Sequence, residues 1–149
     1  YQTAQGETEL PLEELYALPE ESRRSFITLP SEAVLTGIHL PPASTAGRSI
    51  YDKAMARASW GFALAGVAIY LQKQDSAIEV ARVALSGVAP IPMRAREVEA
   101  QLEGADPASL DYSTLAETLA QSARPLTHNS YKIKLLRALF KQTLTRILE

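Results

Sequence analysis

The sequence predicts an α+β fold in which a three- to four-stranded antiparallel sheet packs on a layer of three helices. Three runs between residues 49 and 86 are rich in apolar and β-branched residues, as strands are. From Pro92 onward the apolar spacing changes to three and four residues, which is typical of amphipathic helices. Strands followed by a separate group of helices favour two packed layers over repeated strand–helix–strand units.

The chain before residue 47 is predicted to be mostly irregular. A short helix is expected over Leu10–Ala17, because Pro11 suits the first turn of a helix. A strand is expected over Ala33–Leu40, and Pro41-Pro42 would end it since proline has no N–H for a ladder. The turn-forming and small residues at 41–47 predict a domain boundary.

Three strands are predicted after this boundary, at Ser49–Arg57, Phe62–Gln72 and Ile78–Ser86. The middle run is apolar on both alternating sets, as in a strand covered on both faces, and its spacing alone would also allow a helix. Gly66 and the β-branched residues beside it favour the strand. The segment Gln74-Asp75-Ser76 predicts a hairpin turn into the third strand.

Three helices are predicted in the second half, at Met93–Glu103, at Asp111–Ala123 and from Ser130 to the end. Gly104 is a natural C-terminal stop for the first helix. Asn129 is the expected N-cap of the third, with its side chain accepting a hydrogen bond from the first free amides. The third helix has the clearest pattern, formed by Ile133, Leu136, Phe140, Leu144 and Ile147.

The composition is that of a globular protein without its own redox chemistry. Of 149 residues, 46% are hydrophobic, which is enough to bury a core. The chain has no cysteine, so disulfides, thiolate zinc sites and cysteine-ligated iron–sulfur clusters are excluded from it. Neither a membrane-spanning apolar run nor a signal-peptide pattern is present, and a cytoplasmic protein is expected. The absence of an initiator Met suggests a fragment.

Charge is balanced overall but unevenly distributed. The 15 Lys and Arg residues nearly match the 17 Asp and Glu residues, which gives no electrostatic case for a nucleic-acid or anionic-membrane partner. Residues 1–32 are strongly acidic, whereas the final helix carries Lys132, Lys134, Arg137, Lys141 and Arg146. These regions are either solvated faces or complementary docking surfaces.

Catalytic patterns are absent from the sequence. It has no glycine-rich phosphate loop and no nucleophile elbow. His39, expected in a strand near a surface, and His128, expected in the loop before the last helix, lack a matching ligand set, so no metal site is predicted. From the residues alone, the function of this α+β domain stays open.

The order and spacing of several segments carry a family resemblance. Tyr51–Ala68, Ala81–Pro92 and Arg94–Gly104 resemble the flavoprotein carboxyl-terminal domain of the carbon monoxide dehydrogenase and xanthine dehydrogenase family. His128–Arg137 is similar to the Asn-x-[Phe/Tyr]-Lys-[Ile/Val] segment of its aldehyde- and xanthine-oxidising branch. Thr28–Pro41, with residues 10–16, resembles the end of the family's FAD-binding domain. The resemblance implies that residues 1–44 are the tail of that domain and residues 45–149 the carboxyl-terminal domain.

The sequence departs from the family pattern at two points. Ser86 precedes Gly87 where the family has two glycines, and serine is small enough for the same tight turn. Gly87 itself is expected to need an unusual backbone angle. The glycine-rich loops that hold the FAD pyrophosphate in the family lie in an amino-terminal region that this chain does not contain.

The resemblance implies a FAD-binding subunit of a molybdenum hydroxylase, of the xanthine dehydrogenase or aldehyde oxidoreductase type. Its flavin would pass electrons from [2Fe–2S] clusters to an external acceptor, which could be NAD, oxygen, ferredoxin or quinone. FAD would be shared with the amino-terminal region, and molybdopterin and the clusters would belong to partner subunits. This chain alone is expected to be inactive. The alternative is a subunit-assembly domain that does not hold flavin by itself, docking through Lys134, Arg137 and Lys141.

Five residues correspond to flavin-contacting positions of the family. Val34 would pack on the isoalloxazine ring with Leu35 beside it, and the strands of Val34 and Lys53 would converge on one cleft. Lys53 would lie near the pyrimidine edge, where a fixed cation raises the reduction potential. Arg57 would lie near the flavin or the oxidant entry, and Trp60 would shield the flavin edge.

Each of the last three residues also has a simpler explanation. Lys53 would block pairing at a sheet edge. Arg57 would form a surface salt bridge worth about 0–1 kcal/mol. Trp60 would be an aromatic residue of a core or an interface.

Overall fold

A computed structural model of the protein describes residues 1–18, 25–42, 46–57 and 59–149. The chain divides into two compact units, Tyr1–Ala43 and Ser44–Glu149. Across the described ranges, no helix combines the length and the apolar character needed to cross a lipid bilayer.

The first unit contains little regular structure. Strands β1 (Gln2–Thr3) and β2 (Gly6–Glu7) form a small antiparallel hairpin. The helix predicted over Leu10–Ala17 is wrong in extent, because only one 3₁₀ turn, Leu12–Leu15, is formed. The backbone after this turn is extended: Ala17 N donates to Phe26 O at 3.0 Å. Pairing with a distant segment therefore replaces the remainder of the predicted helix.

The strand predicted over Ala33–Leu40 is also wrong. Only Val34 pairs as a strand residue would, in an isolated antiparallel bridge with Gln2 that consists of two backbone hydrogen bonds of 2.9 and 3.0 Å. No strand of the described residues continues this pairing beyond that point. The large apolar side chains of the segment are 54–82% exposed, so the described residues of this unit do not bury them. His39, predicted to lie in the same strand, is likewise outside regular structure.

The second unit is built on a four-stranded antiparallel sheet. Its strands are β3 (Gly47–Met55), β4 (Ala63–Gln74), β5 (Ala77–Ser86) and β6 (Met93–Arg94), in the order β3-β4-β5-β6. The three strands predicted from the sequence are confirmed, and the middle run is a strand rather than a helix. The predicted turn is confirmed as well, with Asp75 at a φ of 55° between the paired residues Gln74 and Ala77.

Three helices follow the sheet, as predicted. They are α1 (Arg96–Leu102), α2 (Tyr112–Ala120) and α3 (Tyr131–Leu148), with a 3₁₀ turn at Pro107–Ser109 between the first two. Helix α1 begins at Arg96 rather than at Met93, because Met93 and Arg94 form strand β6. Asp111 caps α2 by accepting hydrogen bonds from two backbone amides of its first turn.

The N-cap predicted for α3 is wrong by one residue. Ser130 occupies the N-cap position and makes no side-chain capping bond. Asn129 accepts a hydrogen bond from the backbone N–H of Leu126 at 2.7 Å instead. Its side chain therefore closes the turn that precedes the helix, and His128 lies in that turn, as predicted.

The core of the second unit lies between one face of the sheet and the helices. Helices α1 and α3 pack on the sheet and α2 packs on both of them. On β4 the residues of one alternating set, Ala65, Val67, Ile69 and Leu71, are buried against this layer. The other set faces away from it. Among the described residues of this unit, no helix covers that second face, which is called the open face below.

Two glycines of the second unit share a positive backbone φ angle but differ in how closely other atoms surround them. Gly87 and Gly104 have φ angles of 70° and 82°. A Cβ at Gly87 would lie 2.7 Å from the carbonyl oxygen of Ala63, whereas a Cβ at Gly104 would meet nothing within 4 Å. The unusual angle predicted for Gly87 is confirmed.

Gly87→Ala should therefore destabilise the protein more than Gly104→Ala. We expect a loss of about 1 kcal/mol for Gly104→Ala, from the left-handed backbone alone. For Gly87→Ala we expect about 2 kcal/mol, because the backbone of β4 must also shift. Urea unfolding of both variants measures the difference. Equal losses would show that the contact with Ala63 is relieved at no cost.

Candidate functional site

Lys53 lies on the open face of the sheet. It stands directly opposite Gly66 of β4, and Gly66 stands opposite Ser86 of β5. Directly opposed residues of antiparallel strands point to the same face, so these three residues form one row across the sheet. Lys53 is exposed, and in the described part of the chain it takes part in no ion pair.

The opposite side of β3 is anchored to the helix layer next to Lys53. The Asp52 carboxylate accepts hydrogen bonds from the Arg146 guanidinium at 2.5 and 2.6 Å. The hydroxyl of Thr143, a fully buried residue of α3, lies 3.1 Å from the same carboxylate. These contacts hold the backbone of β3 against α3, which fixes the point where the Lys53 side chain begins.

Two hydroxyl side chains meet above Gly66 on the open face. A Cβ at Gly66 would overlap Ser86 Oγ and would lie 2.9 Å from Tyr51 Oη. The two hydroxyl oxygens are 3.3 Å apart, within hydrogen-bonding distance of each other. Gly66 is therefore buried although no helix of the described residues covers this face. Glycine within a strand often marks a place where another group approaches closely, and here that group is the Tyr51 ring.

Arg57 and Trp60 lie together in the connection between β3 and β4. The Arg57 guanidinium donates a hydrogen bond to the Trp60 carbonyl oxygen at 2.8 Å. Trp60 has a φ of 54° and is 93% exposed, so it is not a core residue of this unit. Phe62, which the sequence reasoning did not single out, is 98% exposed. This connection thus presents two aromatic rings and a cation.

Val34 and Leu35 belong to the first unit, whereas Lys53, Arg57 and Trp60 belong to the second. Both apolar side chains are exposed within their own unit. Leu35 lines a cavity of about 650 Å³ within the first unit, most of whose other lining residues are leucines and polar side chains. At its rim the ring nitrogen Nδ1 of His39 lies 2.8 Å from a carboxylate oxygen of Glu9.

Carboxylates of α1 and of the residue that follows it pair with the backbone of β5. Glu99 is 5% exposed, accepts the backbone N–H of Val83 at 2.8 Å and receives two hydrogen bonds from Arg94, at 2.7 and 2.6 Å. Burial by itself would raise the pKa of Glu99, but the hydrogen bonds from Arg94 and Val83 outweigh it and hold the pKa below its usual value. The backbone N–H of Ala81 likewise lowers the pKa of Glu103, which accepts it at 3.1 Å.

These carboxylates have a structural role. They accept N–H groups of β5 that β6 is too short to pair, which is a means of protecting a sheet edge. In the described ranges no three His, Asp or Glu side chains are grouped as metal ligands would be.

Comparison with known proteins assigns the second unit to a family. Residues 50–147 match the model of the CO dehydrogenase flavoprotein C-terminal domain. The chain belongs to this family. It is also 34% identical to the aldehyde oxidoreductase FAD-binding subunit PaoB of Escherichia coli (strain K12). This match extends over 147 residues, which are 98% of the chain and 42% of that relative. The chain thus spans less than half the length of this curated relative.

Solved structures support the fold of this CO dehydrogenase flavoprotein C-terminal domain. Carbon monoxide dehydrogenase from Hydrogenophaga pseudoflava is 23% identical, with a TM-score of 0.66 over 73% of this chain and 39% of that one. Quinoline 2-oxidoreductase from Pseudomonas putida 86 is 22% identical, with a TM-score of 0.58 over 68% of this chain and 37% of that one. The predicted sheet and three-helix layer are therefore confirmed as a fold that these oxidoreductases share.

Proposed function

We propose that this chain is part of the FAD-binding subunit of a molybdenum hydroxylase and supplies part of the wall of its flavin site. The identity of 34% with a FAD-binding subunit, over nearly the whole chain, carries the proposal. Residues 1–44 would belong to the FAD-binding domain and residues 45–149 form the flavoprotein carboxyl-terminal domain. When bound, FAD supplies electron transfer from [2Fe–2S] clusters to an external acceptor.

The proposal also assigns the cofactors of such an enzyme to its subunits. Molybdopterin and the [2Fe–2S] clusters would belong to partner subunits, since this chain has no cysteine to ligate a cluster. The type would be that of an aldehyde oxidoreductase or a xanthine dehydrogenase. This chain alone would have no activity, and a cytoplasmic location stays a prediction.

The open face around Lys53 fits a planar, electron-rich cofactor. Lys53 supplies a positive charge without a carboxylate partner among the described residues. A fixed positive charge beside a flavin raises its reduction potential. Across β4 and β5 the rows of Lys53 and Tyr51 carry small residues, Gly66, Ser86, Ala68 and Ala84, and the Tyr51 ring lies over Gly66. The position of β3 at the sheet edge is compatible with a second, edge-blocking role of Lys53.

The first unit shows the burial expected of part of a larger domain. Every buried apolar side chain among the described residues lies between Ala65 and Ile147, so the first unit buries none completely. Val34 and Leu35 are the exposed apolar residues that we propose for contact with the ring. Arg57 and Trp60 would border the flavin from the connection between β3 and β4.

The basic surface proposed for the assembly-only alternative is weaker than the sequence suggests. Arg137, one of its three cations, forms an ion pair of 2.6 Å with Glu117 of α2. Its charge is therefore matched within the chain, and two lysines remain. No contact of the described residues favours this alternative over the flavin site.

Two substitutions test the flavin proposal in the complete flavin subunit. Lys53→Ala should lower the flavin midpoint potential by about 30 mV for a two-electron couple, because a nearby positive charge is lost. Val34→Asp should weaken FAD binding about tenfold, because a carboxylate would be desolvated against the ring. Redox titration and FAD binding measured by fluorescence quenching report these changes.

Lys73→Ala is the matched control for Lys53→Ala. Lys73 is an exposed lysine of the same sheet, near the β4–β5 turn and far along the strand from Gly66. Its loss should leave the potential and the FAD affinity unchanged. Wild-type flavin content and spectrum in both Lys53→Ala and Val34→Asp would refute the proposal.

A further inference from the structure

We infer that Tyr51, held over Gly66 by Ser86, is a positioning residue that determines where the Lys53 ammonium stands. The inference rests on the proposed flavin role of Lys53 and adds two side chains to that site. Neither Tyr51 nor Ser86 stands out as a site residue in the sequence, because their proximity depends on the register of three strands.

The first step is the row that Lys53 shares with Gly66 and Ser86. Tyr51 precedes Lys53 by two residues on β3, so both side chains leave the same face. The Tyr51 ring leans over Gly66, with its Cε2 atom 3.2 Å from where a Cβ of that residue would lie. The space across β4 from Lys53 is thereby filled. The ring therefore limits how far the lysine side chain can fold over Gly66.

The second step is the rigidity of the groups around Lys53. The contact of 3.3 Å between Tyr51 Oη and Ser86 Oγ links β3 to β5 on the open face. On the other face, Asp52 holds the same stretch of β3 to Arg146 and Thr143. A lysine side chain has many rotamers, so restricting them lowers the entropic cost of keeping its charge in one place.

A second tyrosine on the open face offers a matched control. The Tyr70 ring covers Gly47, where a Cβ would overlap it, just as the Tyr51 ring covers Gly66. Tyr70 pairs with Ser49 and so lies on the same face. Gly47 is six residues from Lys53 along β3, about 20 Å at the rise of a strand. Tyr70 therefore has the same structural role without proximity to Lys53.

The experiment is a double-mutant cycle in the complete flavin subunit loaded with FAD. Tyr51→Ala and Tyr70→Ala are each made with Lys53 present and with Lys53→Ala, and the midpoint potential and FAD dissociation constant are measured. Tyr51→Ala should lower the potential and weaken FAD binding about threefold to tenfold when Lys53 is present. In the Lys53→Ala background the same change should have less than about a twofold effect on binding and none on the potential. Tyr70→Ala should leave the potential unchanged in both backgrounds.

Two milder variants keep the test informative if Tyr51→Ala does not fold. Tyr51→Phe and Ser86→Ala remove the hydroxyl contact and keep the ring, and each should shift the potential in the direction of Lys53→Ala by a smaller amount. Equal shifts in both Lys53 backgrounds, or no shift in any variant at Tyr51 and Ser86, would overturn the inference while the flavin proposal stands. An unchanged potential in Lys53→Ala itself would also overturn the inference, and it would overturn the flavin proposal if Val34→Asp likewise left FAD binding unchanged.

Discussion

Replacing Glu99 with alanine should lower the free energy of unfolding by about 3 kcal/mol. Glu99 is 5% exposed and satisfies both the guanidinium of Arg94 and the backbone N–H of Val83. Its loss leaves a partly buried cation and an unpaired amide at the edge of β5. Breaking a buried ion pair by removing one partner typically costs about 3–5 kcal/mol, and Arg94 retains some access to water, which favours the lower end.

Urea unfolding measures this loss, and Glu97→Ala is its control. Glu97 lies on the same helix but is exposed, so its replacement should change stability by less than about 0.5 kcal/mol. Similar small losses in both variants would show that water replaces the Glu99 contacts at the sheet edge.

The pH dependence of the Glu99 contribution has a defined sign. The folded-state pKa of Glu99 is lowered, so its ionised form is favoured by folding. The contribution should be fully present above the unfolded pKa of about 4.3 and should be lost as the pH falls through the folded value. The stability difference between the wild-type protein and Glu99→Gln should therefore shrink below about pH 4.3. A difference that grows on acidification would contradict this assignment.

The strands and helices of the second unit could be predicted because their signals are local. The apolar alternation of β5 and the spacing of three and four residues in α3 reflect which side faces a core, and each is visible within one segment. The predicted first and last residues of these elements are less accurate. Helix α1 begins at Arg96 rather than Met93, since the two residues of β6 are too few to show a period.

The failures involve partners that are distant in the sequence. Val34 has the apolar and β-branched character of a strand residue, but a strand also needs a neighbour, and Gln2 pairs with it at a single point. Leu15 and Ala17 pair with residues 26–28 rather than continuing a helix. The local sequence contains no information about which distant segment is available for pairing.

The contacts of the candidate site also depend on residues that are distant in the sequence. Lys53 was proposed through a family resemblance, and its exposure on the open face is compatible with that role. The contact of Tyr51 with Ser86 requires the register of β3, β4 and β5, which the sequence does not specify. Glu99 and Glu103 appear in the sequence only as polar residues of an amphipathic helix. Their bonds to Val83 and Ala81 depend on how α1 docks beside β5.

Replacing Phe140 with alanine should have the largest effect of any single truncation considered, a loss of about 3–5 kcal/mol. Phe140 is fully buried on α3, the helix that packs on β3 and β4. The substitution removes a large apolar side chain and leaves a cavity that the sheet and helices fill only in part.

Phe62→Ala provides the same chemical change at an exposed position. Phe62 is 98% exposed, so its truncation should change the free energy of unfolding by less than about 0.5 kcal/mol. Chemical unfolding of the two variants isolates the effect of burial, because the residue type and the substitution are identical. A loss below about 1 kcal/mol for Phe140→Ala would mean that the helix layer collapses into the space. Since α3 also holds Asp52 through Arg146, such a collapse would move the strand that carries Lys53.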